Sequence, residues 1–310
     1  MNYELMPNMT DRIFLTDAGF ETSMLFHKGF EMPHFAAFPL LRTAEGRDAM
    51  TEYFVPLMEL ARQYSAGFVL DTNTWRANPD WGQLLGYDLP ELTKVNTEAV
   101  KFAKELRSTH SPGQNVLING VIGPRGDGYD PATVMSHTEA KNYHTFQVNV
   151  FSDCKVDMIS ALTITNTPEA IGIAGAAAEA KVPCVISFTL ETDGCLPTGQ
   201  PLADAIAEVD ADETRKPAYF MINCAHPDHF RSVINTGGDW TDRIGGLRAN
   251  ASRMSHAELD CCEVLDDGDP QELAQLYAEI RQSLRKMTVF GGCCGTDHRH
   301  VEQICQALKR

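Results

Sequence analysis

Cys293 and Cys294 stand side by side between glycines near the end of the chain, within residues 290–296. Glycine tolerates backbone angles that other residues avoid, so two neighbouring cysteines on such a turn are able to direct both sulfurs towards one point. A second apolar run, residues 219–223, ends directly before Cys224. Three thiolates complete the protein's share of a tetrahedral zinc site with one open position. The sequence therefore predicts a Zn²⁺ site formed by Cys224, Cys293 and Cys294.

Such a site has a defined chemistry. Three thiolates give the zinc centre a net charge of about −1, which keeps bound sulfur rich in electrons. A thiol that enters the open position loses its proton, because a cation favours the thiolate over the thiol, and the thiolate is then the nucleophile. The pattern predicts activation of a thiol substrate at neutral pH.

Other readings of the cysteines are less favourable. A disulfide between Cys293 and Cys294 would close a strained ring. The adjacent pair Cys261 and Cys262 has no flanking glycines, and we expect it to serve packing only. Histidines near the predicted ligands fall where helices should begin, and we expect most of them to be surface residues: His226, His229, His298 and His300.

The elements that position these cysteines follow from the apolar pattern. Eight short apolar runs alternate with amphipathic stretches at helical spacing, at residues 13–15, 67–70, 116–118, 158–159, 184–188, 219–222, 244–247 and 289–290. Strand and helix alternating eight times within about 250 residues or more is the pattern of a (β/α)8 TIM-type barrel. No composition break divides the chain, so we predict one α/β domain over residues 1–310.

In this fold the active site is built at the C-terminal ends of the strands. Polar or small residues follow nearly every predicted strand, which agrees with that rule. Besides the cysteines, the candidates for substrate binding are Asp17, Glu21, Asn73, Thr163 and Asn250. Two glycine-rich and aspartate-rich connections, residues 125–129 and 193–199, are predicted to be loops on the same face.

Composition limits the partners. With 26 basic and 42 acidic residues, the chain has a formal net charge of −16. This balance argues against nucleic acid or an anionic membrane as the main partner and favours a cationic small molecule. The N-terminus has no secretory pattern, no run approaches a membrane span, and nine scattered cysteines suit a reducing compartment. We predict a cytoplasmic protein; the sequence leaves its oligomeric state open.

Several motifs together resemble the homocysteine S-methyltransferase family. Residues 222–224 and 291–296 look like the zinc signature of that family, and residues 15–22 resemble its first-strand motif. Residues 71–78 and 120–124 resemble its second and third motifs, so the similarity extends over nearly the whole chain. The resemblance implies a (β/α)8 barrel, a zinc cofactor, and methyl transfer to a zinc-bound thiol, with homocysteine giving methionine as the leading reaction.

The resemblance also implies roles for single residues. The aspartate that matches Asp17 helps to hold the amino group of the amino-acid thiol, and Asn250 matches an asparagine near the same substrate. Arg248 has the planar fork that suits a carboxylate. The methyl donor implied is a sulfonium or related compound, for which the faces of Phe20 and Trp75 are suitable. The predicted partners are thus a small-molecule thiol acceptor and a methyl donor.

One position departs from the family pattern. After the fourth strand the family usually has a Glu-Thr pair whose glutamate grips the substrate amine, but Leu162 occupies that position here. An apolar side chain removes part of the attraction for an ammonium group, although Asp17 or Glu21 offers a replacement. Two alternatives therefore stay open: a paralogue that methylates a different thiol or a selenol, and a non-catalytic zinc-binding or thiol-binding protein.

Overall fold

The computed structural model describes residues 6–131 and 134–309. Its centre is a closed barrel of eight parallel strands in sequential order, β1 to β8. The strands are Phe14–Leu15, Gly67–Asp71, Val116–Ile122, Met158–Ile164, Cys184–Phe188, Tyr219–Asn223, Ile244–Ala249 and Val289–Gly292. Each of the eight predicted apolar runs contains or overlaps one of these strands, which confirms the predicted (β/α)8 barrel.

The barrel closes between its first and last strands. Phe14 of β1 is in register with Gly67 of β2 on one side and with Val289 of β8 on the other. This closure brings the β1 end next to the turn that follows β8. As a result, residues from opposite ends of the chain meet at one point of the barrel rim.

Helices surround the barrel. The described helices, α1 to α11, are Phe20–Thr22, Ala44–Gln63, Pro79–Leu84, Leu89–His110, His137–Asp153, Thr167–Glu179, Leu202–Asp210, Pro227–Ile234, His256–Leu259, Pro270–Ser283 and His298–Leu308. A π-helical turn, Ser23–His27, directly follows α1. None of the helices in the described residues is both long and apolar enough to cross a membrane.

Capping side chains explain where several helices begin. Asn166 accepts a hydrogen bond from the Glu169 N–H at 2.9 Å, and a proline follows at the start of α6. Asp269 caps α10 in the same way, accepting from the Gln271 N–H at 2.8 Å. The acidic loop before α10 therefore serves as a helix start.

Two apolar layers lie on the two faces of the sheet. Side chains such as Val69, Val121 and Val185 form a cluster inside the barrel, and their neighbours along the strands, such as Phe68 and Ile186, pack in the larger cluster with the helices. This alternation follows from the two-residue period of a strand. The inner cluster includes Leu162, whose side chain therefore points into the barrel just below the rim.

Candidate active site

Three cysteine sulfurs converge at the C-terminal rim of the barrel. Cys224 directly follows β6, and Cys293 and Cys294 directly follow β8. Their sulfur atoms all lie within 4.8 Å of one another. The structure thus brings together the three residues that the sequence selected as metal ligands.

Glycines allow the turn after β8 to lie against the turn after β1. A Cβ atom added at Gly291 would overlap the Thr16 side chain and lie 2.6 Å from the Asp17 carbonyl oxygen. Gly295 has a φ of +80°, in the left-handed region that favours glycine. The Thr296 hydroxyl donates to the Cys293 carbonyl at 2.7 Å and tightens the turn. The glycines around the cysteine pair therefore allow the two turns to pack closely, and they also permit backbone angles that other residues avoid.

The structure pairs Cys224 with Cys293, whose sulfurs lie at bonding distance. Cys294 is a free cysteine beside them. The disulfide that the sequence disfavoured, between Cys293 and Cys294, is accordingly not formed. Since a disulfide and a metal use the same two sulfurs, the paired form and a metal-bound form exclude each other.

An asparagine holds the β6 end of the site in place. The Asn223 Oδ1 atom accepts from the Thr163 N–H at 2.9 Å and from the Ser187 hydroxyl at 2.6 Å. Its Nδ2 group donates to the Thr163 hydroxyl at 2.8 Å and points at the Cys224 sulfur at 3.3 Å. Sequence reasoning placed Asn223 at the end of a strand but gave it no role. Its buried network positions Cys224 and also explains why Thr163 lies beside the cysteines.

Tyr129 covers the site from the loop that follows β3. Its hydroxyl lies 3.9 Å from the Cys294 sulfur, and its ring stacks on His256 with 4.0 Å between ring centroids. His256 in turn contacts the Cys224 carbonyl through Nε2 at 2.6 Å. Burial raises the pKa of Cys294 to about 11, and the Glu21 carboxylate contributes to that shift. In the absence of a cation, Cys294 is therefore a neutral thiol.

A buried charge cluster closes the floor of the site. The Arg248 guanidinium forms ion pairs with both Asp17 and Asp71, and all three side chains are almost fully buried. Asp71 also accepts a hydrogen bond from Asn119 at 2.7 Å. Burial raises the pKa of Asp17, although the positive charge of Arg248 opposes that change. The Arg248 guanidinium is already paired with two carboxylates of the protein. It is therefore a partner of Asp17 and is not free to bind the carboxylate of a ligand.

A cavity of about 360 Å³ lies above the cysteines. Four of the candidate substrate-binding residues line it: Asp17, Glu21, Asn73 and Thr163. The fifth, Asn250, is buried beside the β6 end, where its N–H donates to the Ala225 carbonyl at 3.2 Å, and it is not among the lining residues. Leu162 forms an apolar part of the wall, together with Phe20 and Trp75.

The remaining sequence expectations have mixed outcomes. The loop of residues 125–129 reaches the cavity, whereas the loop of residues 193–199 does not line it. Cys262 is among the residues that line the cavity, and its sulfur contacts Met254 and the Glu258 carbonyl; its neighbour Cys261 is exposed. His229 and His298 are at least partly exposed, but His226 and His300 are buried and cap α8 and α11. None of the four histidines lines the cavity.

Together these features define a (β/α)8 barrel with a three-cysteine site and a substrate-sized cavity at the C-terminal end of its strands. The family model described as homocysteine S-methyltransferase matches residues 60–308. The chain therefore belongs to the homocysteine S-methyltransferase family, as the motifs predicted, and it is a methyltransferase of the thiol-methylating class. The first-strand motif, residues 15–22, lies before the matched region.

Solved structures agree with this assignment at the level of fold. The oxidized form of the homocysteine methyltransferase MmuM from Escherichia coli is 17% identical, with a TM-score of 0.76 over 99% of each chain. The metallated form of the same enzyme is 18% identical, with a TM-score of 0.71 over 96% of each chain.

Proposed function

We propose that Cys224, Cys293 and Cys294 bind Zn²⁺ in the reduced protein. A tetrahedral site with zinc–sulfur bonds of about 2.3 Å requires sulfurs about 3.8 Å apart, and the three sulfurs here all lie within 4.8 Å of one another. The donor set also fits, since thiolates are ligands that zinc prefers. MmuM, which shares this fold, also has a metallated form, and this supports a bound metal. Bound zinc supplies one chemical effect, which is to favour the thiolate form of an acceptor.

The proposed reaction is transfer of a methyl group from a sulfonium or related donor to that thiolate. The acceptor thiol releases its proton to the solvent, its sulfur forms a bond to the methyl carbon, and the carbon–sulfur bond of the donor breaks. The electron pair of that bond stays on the donor sulfur, which becomes a neutral thioether. Homocysteine is the proposed acceptor, so the product is methionine and the setting is methionine biosynthesis in the cytoplasm. The convergence of the three cysteines in the cavity of a family member carries this proposal.

The residues around the cysteines have separate tasks in this proposal. Thr163 and Asn223 hold the Cys224 segment, and Asp17 with Arg248 forms the rigid floor. Asn73 and Glu21 face the cavity. Asn250 supports the β6 end from behind rather than touching substrate. Tyr129 lines the cavity and offers an aromatic ring to a sulfonium cation, which such rings attract.

A second acceptor class is favoured by one observation. Leu162 lines the cavity where the family has a glutamate, so part of the wall is suited to an apolar group. A thiol or selenol without an amino group would lose no binding energy at Leu162, because it has no ammonium group that needs a carboxylate. This alternative keeps the zinc and the methyl transfer and changes only the acceptor.

The test is to measure zinc content and methyl transfer on the same reduced protein. We expect one zinc per chain and formation of methionine from homocysteine and a sulfonium donor such as S-methylmethionine or S-adenosylmethionine. Replacement of Cys294 by serine should abolish turnover and reduce zinc occupancy, whereas Cys261→Ser, at an exposed position outside the cavity lining, should keep both. Stoichiometric zinc without transfer to any thiol or selenol would show a binding protein instead of an enzyme.

A further inference from the structure

The charged side chains that line the cavity differ in whether the protein already neutralises them. Arg248, Asp17 and Asp71 neutralise one another in the buried cluster on the floor. Breaking such a buried cluster to bind a ligand would cost several kcal/mol. The groups available to a substrate are therefore those that lack a strong partner, and two of these stand out: Glu21 and Arg76.

Glu21 is fixed beside the cysteine turn. The Gly19 N–H donates to the Thr296 carbonyl at 3.1 Å, and the Thr22 hydroxyl accepts from the Gly295 N–H at 3.2 Å. These two contacts tie the short helix α1 to the turn that carries Cys294. Within the described residues, the Glu21 carboxylate has no ion-pair or hydrogen-bond partner apart from its own backbone N–H. An unpaired carboxylate on a cavity wall is a strong acceptor for a cationic group.

Arg76 is the corresponding cation. Its guanidinium carbon lies over two indole rings, 3.8 Å from the ring centroid of Trp81 and 4.5 Å from that of Trp75. Its side chain is only 10% exposed, but its contacts with polar partners are long. One guanidinium nitrogen lies 4.0 Å from the Asp127 carboxylate, and the other lies 3.5 Å from the Gly126 carbonyl oxygen. Its Nε atom has no hydrogen-bond partner in the described part of the chain. A guanidinium held by aromatic faces keeps N–H donors for an incoming carboxylate.

We propose that Glu21 and Arg76 bind the ammonium and the carboxylate of an α-amino-acid thiol. Both residues line one cavity, they carry opposite charges, and the described ion pairs do not join them to each other. Glu21 thus supplies the carboxylate that is missing at Leu162, from the β1 end of the site instead of the β4 end. This inference rests on the proposed thiol methyl transfer and assigns its acceptor to the zwitterionic class.

The test uses reduced protein loaded with Co²⁺ in place of zinc. The three cysteines give cobalt a sulfur-to-metal charge-transfer absorption, and a thiol that binds the metal changes this absorption without any turnover. Three thiols are titrated: homocysteine, 4-sulfanylbutanoate, which lacks the amine, and 3-sulfanylpropylamine, which lacks the carboxylate. We expect homocysteine to bind about tenfold or more tightly than either analogue, since a hydrogen bond to a charged group contributes that much.

Two variants separate the roles. Glu21→Gln should weaken the binding of homocysteine and of 3-sulfanylpropylamine by about tenfold. The binding of 4-sulfanylbutanoate should not change. Arg76→Gln should weaken the binding of homocysteine and of 4-sulfanylbutanoate. The binding of 3-sulfanylpropylamine should not change. Glu31→Gln, at an exposed position outside the cavity lining, is the matched control and should change none of the three affinities.

Equal binding of the three thiols by the unmodified protein would overturn this inference without any variant. Equal weakening of all three thiols by Glu21→Gln would also overturn it, because Glu21 would then act on the site as a whole. In both cases methyl transfer to a thiol would persist, so the proposed function would stand. Absence of a thiol-dependent change in absorption, together with absence of methyl transfer, would overturn the proposed function as well.

Discussion

At the scale of single residues, Asp297 connects the cysteine turn to the last helix. Its carboxylate caps α11 by accepting from the Arg299 N–H at 2.9 Å, and it pairs with the Arg299 side chain at 2.8 Å. Burial alone would raise the pKa of Asp297, but hydrogen bonds from His300 and Arg299 outweigh burial and hold that pKa well below its ordinary value. The charged form of Asp297 therefore stabilises the segment that follows Cys294.

This depressed pKa predicts a specific dependence of stability on pH. The unfolded chain takes up the proton of Asp297 first as the pH falls, so the stabilisation is present above about pH 4 and is lost below it. Asp297→Asn should cost about 1–2 kcal/mol at pH 7 and flatten the fall in stability between pH 5 and pH 3.5. Urea unfolding at several pH values measures both effects. The exposed variant Asp11→Asn should retain the slope of the unmodified protein; an unchanged slope in Asp297→Asn would refute the assignment.

Residue identities at strand ends could be predicted from the sequence, but the partners of those residues could not. Cys224 and the adjacent pair were recognisable because glycines and apolar runs flank them. The ion pairs of Arg248 were not, because Asp71 and Asp17 lie 177 and 231 residues away along the chain. Such contacts depend on how the barrel closes and on which face each side chain takes. Asn223 was visible as a polar residue after a strand, without any signal of its four contacts.

At the scale of elements, the apolar runs were sufficient to predict the barrel. Each strand is buried, so its sequence is a short apolar run that is easily recognised. The exact ends of the strands were predicted less well: β4 extends to Ile164, five residues beyond the predicted run. Polar residues such as Ser160 and Thr163 interrupt its apolar pattern because they face other strands and the site. Strand ends near an active site are therefore the part of this fold that hydrophobicity predicts least well.

The contact between the β1 and β8 turns gives a test at this scale. Gly291→Ala places a methyl group against the Thr16 side chain and the Asp17 backbone, and a backbone atom cannot move aside. We expect a loss of about 2–4 kcal/mol in the free energy of unfolding, with a fall in Tm of roughly 4 °C or more and weaker zinc retention. Thermal unfolding with a zinc assay measures this.

Gly175→Ala is the matched control. It lies within α6, where an added Cβ would meet no atom closer than 3.7 Å. Alanine has the higher helix propensity, so this variant should gain about 0.5–1 kcal/mol. If both variants had the same stability as the unmodified protein, the close approach of the two turns would not contribute to the fold.

At the scale of the whole molecule, the net charge of −16 and the cavity lining act in the same direction. Asp127, Asp260 and Asp266 lie among the lining residues, beyond the neutralised cluster on the floor. Burial, with the nearby charge of Asp127, raises the pKa of Asp260. A site surrounded by negative charge attracts the proposed sulfonium donor from solution.

Salt should therefore affect the two substrates differently. Raising the ionic strength from about 0.02 M to about 0.5 M shortens the screening length from roughly 20 Å to roughly 4 Å. We expect kcat/KM for a sulfonium donor with net positive charge to fall about threefold to tenfold. For homocysteine, which is a zwitterion with no net charge, the same change should leave kcat/KM nearly constant. Initial rates with one substrate saturating and the other varied give both values. Equal salt effects on donor and acceptor would mean that binding of the donor depends on its shape and on the aromatic faces, rather than on the charge of the molecule.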